Sequence, residues 1–219
     1  MCCQPQQAVQ RRPRRLTGAR PHGSGAPRGS AQARVARVMS IQLVFETHAT
    51  TEDNEGGRAT GWLPGRLSGA GREQARELGV RRLDDGIDAI FTSELGRALE
   101  TVEIAFADSD IPVMHDWRLR ECDYGTQNGG PVADLARGSH IEVPYAGGGE
   151  SWTDAITRIG RFLPDLVSRW MDRRVLVVGH TATRWAFDHL IDGVPIDDLV
   201  ASPFSWQEGW EYRPAPSPT

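Results

Sequence analysis

Ile41-Gln42-Leu43-Val44-Phe45-Glu46-Thr47-His48 and Arg174-Val175-Leu176-Val177-Val178-Gly179-His180 decide the reading of this chain. Each is a short apolar run that reads as a buried strand, and each ends on a histidine. Between them, Ala89-Ile90-Phe91 reads as another strand, and Thr92-Ser93 leads into a helical stretch carrying Arg97. Open α/β sheets bind ligands at the carboxyl ends of their strands. Two imidazoles and a guanidinium gathered there would suit a phosphoryl group.

Outward from these strands the pattern alternates. Gly69–Leu83 reads as a helix with Ala70, Ala75, Leu78 and Leu83 inward. Ser93 would N-cap a helix over 94–107 whose apolar face is Leu95, Ala98, Leu99, Val102 and Ala105. Ile111-Pro112-Val113 is a brief strand, 124–149 a glycine-rich loop, and Ser151–Met171 one long helix with Ile156, Ile159, Phe162, Leu163 and Leu166 inward. Thr181–Ile191 is a helix, and Phe204–Tyr212 an aromatic edge strand, a pairing edge for a dimer. The expected fold is an α/β three-layer sandwich, a mostly parallel sheet with helices on both faces.

Residues 1–38 are rich in Arg, Gly, Pro and Gln without hydrophobic periodicity and read as a disordered extension. The pairs Arg11-Arg12 and Arg14-Arg15 resemble a twin-arginine signal, but no apolar segment follows. Met39 opens the first strand directly, which raises the question of whether residues 1–38 are translated. Residues 39–213 form the expected domain, and 214–219 a frayed tail.

Charge is split. The extension carries +8 and the remainder −12, within a total of −4. An acidic domain argues against nucleic acid as its partner. No apolar run is long enough to cross a bilayer, so no membrane partner is expected. With Cys2, Cys3 and Cys122 as its only cysteines, the chain shows no disulfide framework or metal-ligand spacing, which fits a reducing, cytoplasmic setting. All 25 basic residues are arginine, which excludes Schiff-base and P-loop lysine chemistry. Neither a metal nor a cofactor is expected.

Taken singly, His48 and His180 are as compatible with satisfied structural histidines as with function. Arg97 could be a solvent-facing helix residue, and Glu121 an exposed acid paired with Arg118 or Arg120. Together they offer what phosphoryl transfer through histidine needs: an in-line nitrogen, donors for the equatorial oxygens, and an acid for the departing alkoxide. Asp123 is the competing acid.

In this order the motifs resemble the histidine phosphatase superfamily, also called phosphoglycerate mutase-like. Its Leu-Val-Arg-His-Gly-Glu-Thr opening, with an asparagine six residues past the histidine, is matched by His48, Thr51 and Asn54. Its Gly-Trp segment is matched by Thr60-Gly61-Trp62, and its Leu-Ser/Thr-x-x-Gly-x-x-Gln-Ala by Leu67 to Ala75. Ser-x-Leu-x-Arg-Ala-x-x-Thr appears as Ser93 to Thr101, and Leu-x-Glu-x-x-x-Gly as Leu119 to Gly125. Gly-Gly-Glu-Ser stands at 148–151 and Val-x-x-His at 177–180.

The resemblance implies that His48 is the nucleophile, that Arg97 and His180 clamp phosphoryl oxygens, and that Glu121 is the general acid. It implies substrate or phosphate contacts at Asn54, Thr60 and Gly61, and at Arg58 unless that arginine is structural. The implied activity is metal-independent hydrolysis of a small phosphomonoester through phosphohistidine. A non-catalytic phosphoester-binding protein of the same fold is the alternative. A mutase fits less well, because lysines are absent and His180 is followed by Thr181-Ala182 rather than Gly-Asn.

One departure matters most. Arg-His-Gly reads Thr47-His48-Ala49 here, so a phosphate-binding position holds a threonine. Losing one transition-state donor costs about a hundred- to a thousandfold in rate, so reduced activity is expected. Arg58 or Arg120 is the expected replacement. If neither fills the place, Thr47→Arg should restore rate; if another arginine does, a second one would be repelled.

Overall fold

The computed structural model describes residues 40–202 and 204–214. The expected disordered extension lies outside the described residues, as does all but the first residue of the expected tail. The elements run β1 (Gln42–Thr47), α1 (Glu52–Glu55), β2 (Arg58–Ala59), α2 (Gly69–Arg82), β3 (Ala89–Thr92), α3 (Gly96–Ala105) and β4 (Val113–His115). After β5 (Gly130–Pro131) come α4 (Trp152–Gly160), α5 (Phe162–Arg169), β6 (Arg174–Gly179), α6 (Thr181–Leu190), α7 (Ile196–Ala201) and β7 (Trp210–Tyr212).

The main sheet has five strands in the order β4-β3-β6-β1-β7. β1, β3, β4 and β6 are parallel, and β7 closes one edge antiparallel to β1. β6 explains why a parallel sheet forms. Val175 to Val178 are fully buried, with Val175 and Val177 in one core and Leu176 and Val178 in the other. Burying each such side chain stabilises by about 1.5–3 kcal/mol. One core carries α4, α5 and α6, and the other α2 and α3. This is the three-layer α/β architecture the alternation implied. It also makes β3, β6 and β1 neighbours, so the residues after their carboxyl ends must meet.

Several local expectations change. α2 buries Ala75 and Leu78, but Ala70 is exposed and Leu83 is 45% exposed. Two glycines complete the face instead. A Cβ on Gly71 would lie 1.9 Å from the Thr50 carbonyl oxygen, and one on Gly79 would lie 2.2 Å from that of Ala105. The backbone packs directly there, and side-chain hydrophobicity gives no sign of it.

The expected long helix over 151–171 is two. Pro164 has no N–H for the Gly160 carbonyl and its ring crowds that oxygen, so α4 ends at Gly160 and α5 begins at Phe162. Ser93 does not cap α3 through its side chain; the cap position is Leu95, and the helix starts later, at Gly96. The glycine-rich stretch holds three 3₁₀ turns and β5, which pairs with β2. The aromatic edge strand is only Trp210–Tyr212, with Phe204 and Trp206 in the preceding loop. No helix among the described residues is long and apolar enough to cross a membrane.

Candidate active site

His48 follows β1, Ser93 and Arg97 follow β3, and His180 follows β6. Arg97 joins the two histidines. Its Nε donates to His48 Nε2 at 3.2 Å, and Nη2 donates to His180 Nδ1 at 3.2 Å. The imidazole centroids are 5.1 Å apart. The same guanidinium donates to the carbonyls of Leu63 and Gly61, each at 2.9 Å. Four of its five N–H groups are therefore engaged.

These contacts fix both tautomers. His48 Nδ1 lies 2.8 Å from the Ala49 carbonyl, which only accepts, so Nδ1 carries the proton. Nε2 is then the lone-pair atom, held toward Arg97. On His180 the arginine can only donate, so Nδ1 accepts and Nε2 carries the proton. Nε2–H then donates to Ser93 Oγ at 2.7 Å. Ser93 thus orients His180 rather than capping a helix.

Both rings are held neutral. Burial first, and then the Arg97 charge, lower the His48 pKa to about 3. Burial and Arg97, with smaller contributions from His48 and Arg158, drive that of His180 well below its usual value. Burial also lowers Arg97, against the opposing pull of Glu121.

A stability consequence follows with a definite sign. Unfolded histidines take up protons near pH 6.5 while the folded ones do not, so the contribution is present above that pH and is lost as pH falls toward 3. We expect Tm to drop from pH 7 to pH 4.5, and the drop to be smaller in His180→Asn. Equal drops in both proteins would remove His180 as a source.

Glu121 comes from the loop after β4 and is buried. Its Oε1 accepts from the Cys122 and Ala182 amides at 2.9 and 3.0 Å, and Oε2 from the Thr181 amide at 3.2 Å. It therefore occupies the amino end of α6, a favourable place for negative charge. The loop is held by Arg158, whose guanidinium donates to the Arg118, Arg120 and Glu121 carbonyls. Asp123 is turned away, accepting from the Gly125 amide and Asn128.

The other expected binding residues divide. Thr47 and Asn54 line a cavity of about 650 Å³ whose wall also includes His48, the fully buried His180 and Thr181, with Arg97 and Glu121 lying behind that wall. Asn54 forms a capping box with Thr51, so its side-chain oxygen is engaged locally. Thr60 and Gly61 do not line the cavity. Thr60 donates to Asp53 at 2.8 Å. Gly61 serves through its carbonyl, and its φ of 55° with a Cβ position 1.8 Å from Asn128 Oδ1 leaves room for glycine alone.

The two proposed replacements for the missing arginine are both committed elsewhere. Arg58 is exposed and donates to the Gly129 carbonyl. Arg120 pairs with Glu94 and lies over the Trp62 ring. Neither lines the cavity.

The arginines that do line it are Arg81 and Arg137, neither singled out by the sequence. Arg81 pairs with Glu46, which occupies a usually apolar strand position and is 1% exposed. Glu46 bonds Arg82 as well, at 2.9 Å. Burial raises its pKa, and the two arginines oppose that rise. Glu46 was the one available signal, because a buried acid in a strand demands a nearby guanidinium. Nothing in the local sequence marks Arg137.

The histidine phosphatase superfamily (branch 1) matches residues 43–205. A 2,3-bisphosphoglycerate-dependent phosphoglycerate mutase of Staphylococcus epidermidis is 30% identical, with 73% of this chain and 88% of that protein covered. The match to a Candida albicans phosphoglycerate mutase is 39% identical but spans 40% of this chain and 38% of that protein. Among solved structures, Bacillus stearothermophilus YhfR superposes with a TM-score of 0.69 at 28% identity, covering 77% of this chain and 88% of that one. A mycobacterial glucosyl-3-phosphoglycerate phosphatase in complex with VO3 gives 0.65 at 28% identity, with coverages of 73% and 86%. The motifs, the three converging strand ends and these relatives place the chain in the histidine phosphatase superfamily, branch 1.

Proposed function

We propose that this protein hydrolyses a small phosphomonoester through a phosphohistidine intermediate. The observation that carries the reading is the state of His48: proton fixed on Nδ1 by the Ala49 carbonyl, lone pair on Nε2 facing the guanidinium. A neutral imidazole so held is a nucleophile at neutral pH without a base to activate it.

In the reaction, the phosphoryl dianion enters between His48 and His180. Arg97 exchanges its imidazole contacts for phosphoryl oxygens while the Gly61 and Leu63 carbonyls keep it in place. Nε2 attacks phosphorus, the phosphorus–alkoxide bond breaks, and the departing oxygen takes a proton from Glu121. Of the two carboxyl oxygens, Oε2 has the single, longer amide contact and is the less encumbered. Water then attacks the phosphohistidine and gives its proton back to Glu121; the P–N bond breaks and phosphate leaves.

The chain's own residues favour hydrolysis over mutation, since Thr181-Ala182 follows His180 and no lysine is present. The vanadate-bound phosphatase neighbour supports it, whereas the curated mutase relatives favour the transfer reaction. A second reading, phosphoester binding without turnover, draws on Thr47 and on the single N–H of Arg97 left uncommitted. Rapid quench with a ³²P-labelled phosphomonoester separates the two. We expect acid-labile, alkali-stable label on His48. Absence of label alongside binding of phosphate would leave the binding reading standing.

A further inference from the structure

We propose that Arg137 supplies the phosphoryl-binding guanidinium that position 47 lacks, delivered from the loop between β5 and α4 instead of from β1. The proposal rests on the phosphoryl-binding reading of the His48 cavity.

Arg137 and Arg81 are the arginines on the cavity wall. Their situations differ. Arg81 is neutralised by Glu46 and lies 5.8 Å from the Trp206 ring centroid. Each has a buried Nε without a partner, but Arg137, unlike Arg81, has no ion pair and no side-chain hydrogen bond among the described residues. Arg137 is partly exposed, so its uncommitted Nη groups are free to meet an anion in the cavity.

The segment holding Arg137 is built rather than slack. Leu135 just before it is 1% exposed, and its carbonyl accepts from Tyr145 Oη at 3.0 Å. Ala136 takes a left-handed φ of 41°, an uncommon conformation for alanine, to turn the chain into Arg137. The requirement for charge is independent of these details. Both histidines are neutral in the resting site, Arg97 has one uncommitted N–H, and the acids Glu46 and Glu77 share the cavity. A dianion there calls for a second cation, and of the two arginines lining the cavity among the described residues Arg137 is the one without an acidic partner.

The test is the binding of orthovanadate, and separately of inorganic phosphate, by titration calorimetry on the full chain. The variants are Arg137→Ala, Arg137→Gln, Arg81→Gln and the double variant Thr47→Arg/Arg137→Ala, with Tm measured for each. We expect both Arg137 variants to bind at least tenfold more weakly with Tm within a few degrees of wild type. The double variant should regain most of that loss, and free guanidinium ion should partly rescue Arg137→Ala; a merely structural role would produce neither effect. Thr47→Arg alone should bring no gain. Unchanged affinity in Arg137→Ala and Arg137→Gln overturns the proposal, as does a loss confined to Arg81→Gln. Because binding is the readout, a wild type that binds vanadate but forms no phosphohistidine would sink the hydrolase reading and leave this one intact. A wild type that binds neither anion would sink both.

Discussion

Replacing His48 by alanine is expected to lower kcat toward any accepted phosphomonoester by a factor on the order of 10⁴–10⁶, as removal of a covalent nucleophile does. The imidazole is half-buried and its stabilising contacts are few: one to the Ala49 carbonyl and one from Arg97. The fold should therefore survive, with Tm changed little at neutral pH. Vanadate affinity should fall far less than kcat, because Arg97 and His180 remain. The acid limb of kcat/KM in the wild type should show no break near pH 6.5 from His48, since its proton uptake lies near pH 3. A His48→Ala protein retaining more than a tenth of the wild-type rate would mean that another group forms the covalent bond or none does.

The largest loss of stability is expected at Arg158, which is 5% exposed. Its Nε and Nη2 grip both oxygens of Glu150 at 2.7 Å, Nη2 also reaches the Glu121 carbonyl at 3.0 Å, and Nη1 bonds the Arg118 and Arg120 carbonyls at 2.8 and 3.1 Å. Arg158→Met would fill much of the volume but leave a largely buried carboxylate without its cation and the Arg118 and Arg120 carbonyls without this donor, while the Glu121 carbonyl keeps Trp62 Nε1. Breaking a buried pair from one side costs about 3–5 kcal/mol, which for a domain of this size is roughly 8–15 °C in Tm. Activity should fall too, because the same guanidinium holds the loop that carries Glu121. Adding Glu150→Gln should recover part of the stability by removing the orphaned charge. A Tm decrease under 2 °C for Arg158→Met would show that the network is not what holds the loop.

Much of this molecule was readable from its residues, for identifiable reasons. The strands of β1, β3 and β6 are continuous apolar runs because both their faces are buried, and the histidines that end β1 and β6 stand out against them. Misreadings fell where a backbone contact outweighed a side-chain preference. Gly71 and Gly79 pack α2 where Ala70 and Leu83 were expected, Pro164 divides α4 from α5, and the Ser93 hydroxyl is drawn to His180. The cavity wall was the least legible part. Arg81 acts through a pair with a strand residue 35 positions away, and Arg137 through a loop whose path depends on Tyr145. Such pairings belong to the folded chain and leave no local pattern.

His180 is the residue that α6 starts from, and the Glu121 carboxylate clasps the first two amides of that helix. Glu121 and His180 are therefore both tied to the amino end of one helix, while the 125–149 segment, which brings Arg137 to the cavity wall, is anchored elsewhere. Changes in that segment that spare Arg137 can alter which molecules are admitted without altering the distance between Glu121 and His180. The architecture lets most of that loop be rewritten around Arg137 while the spacing of Glu121 and His180 stays the same.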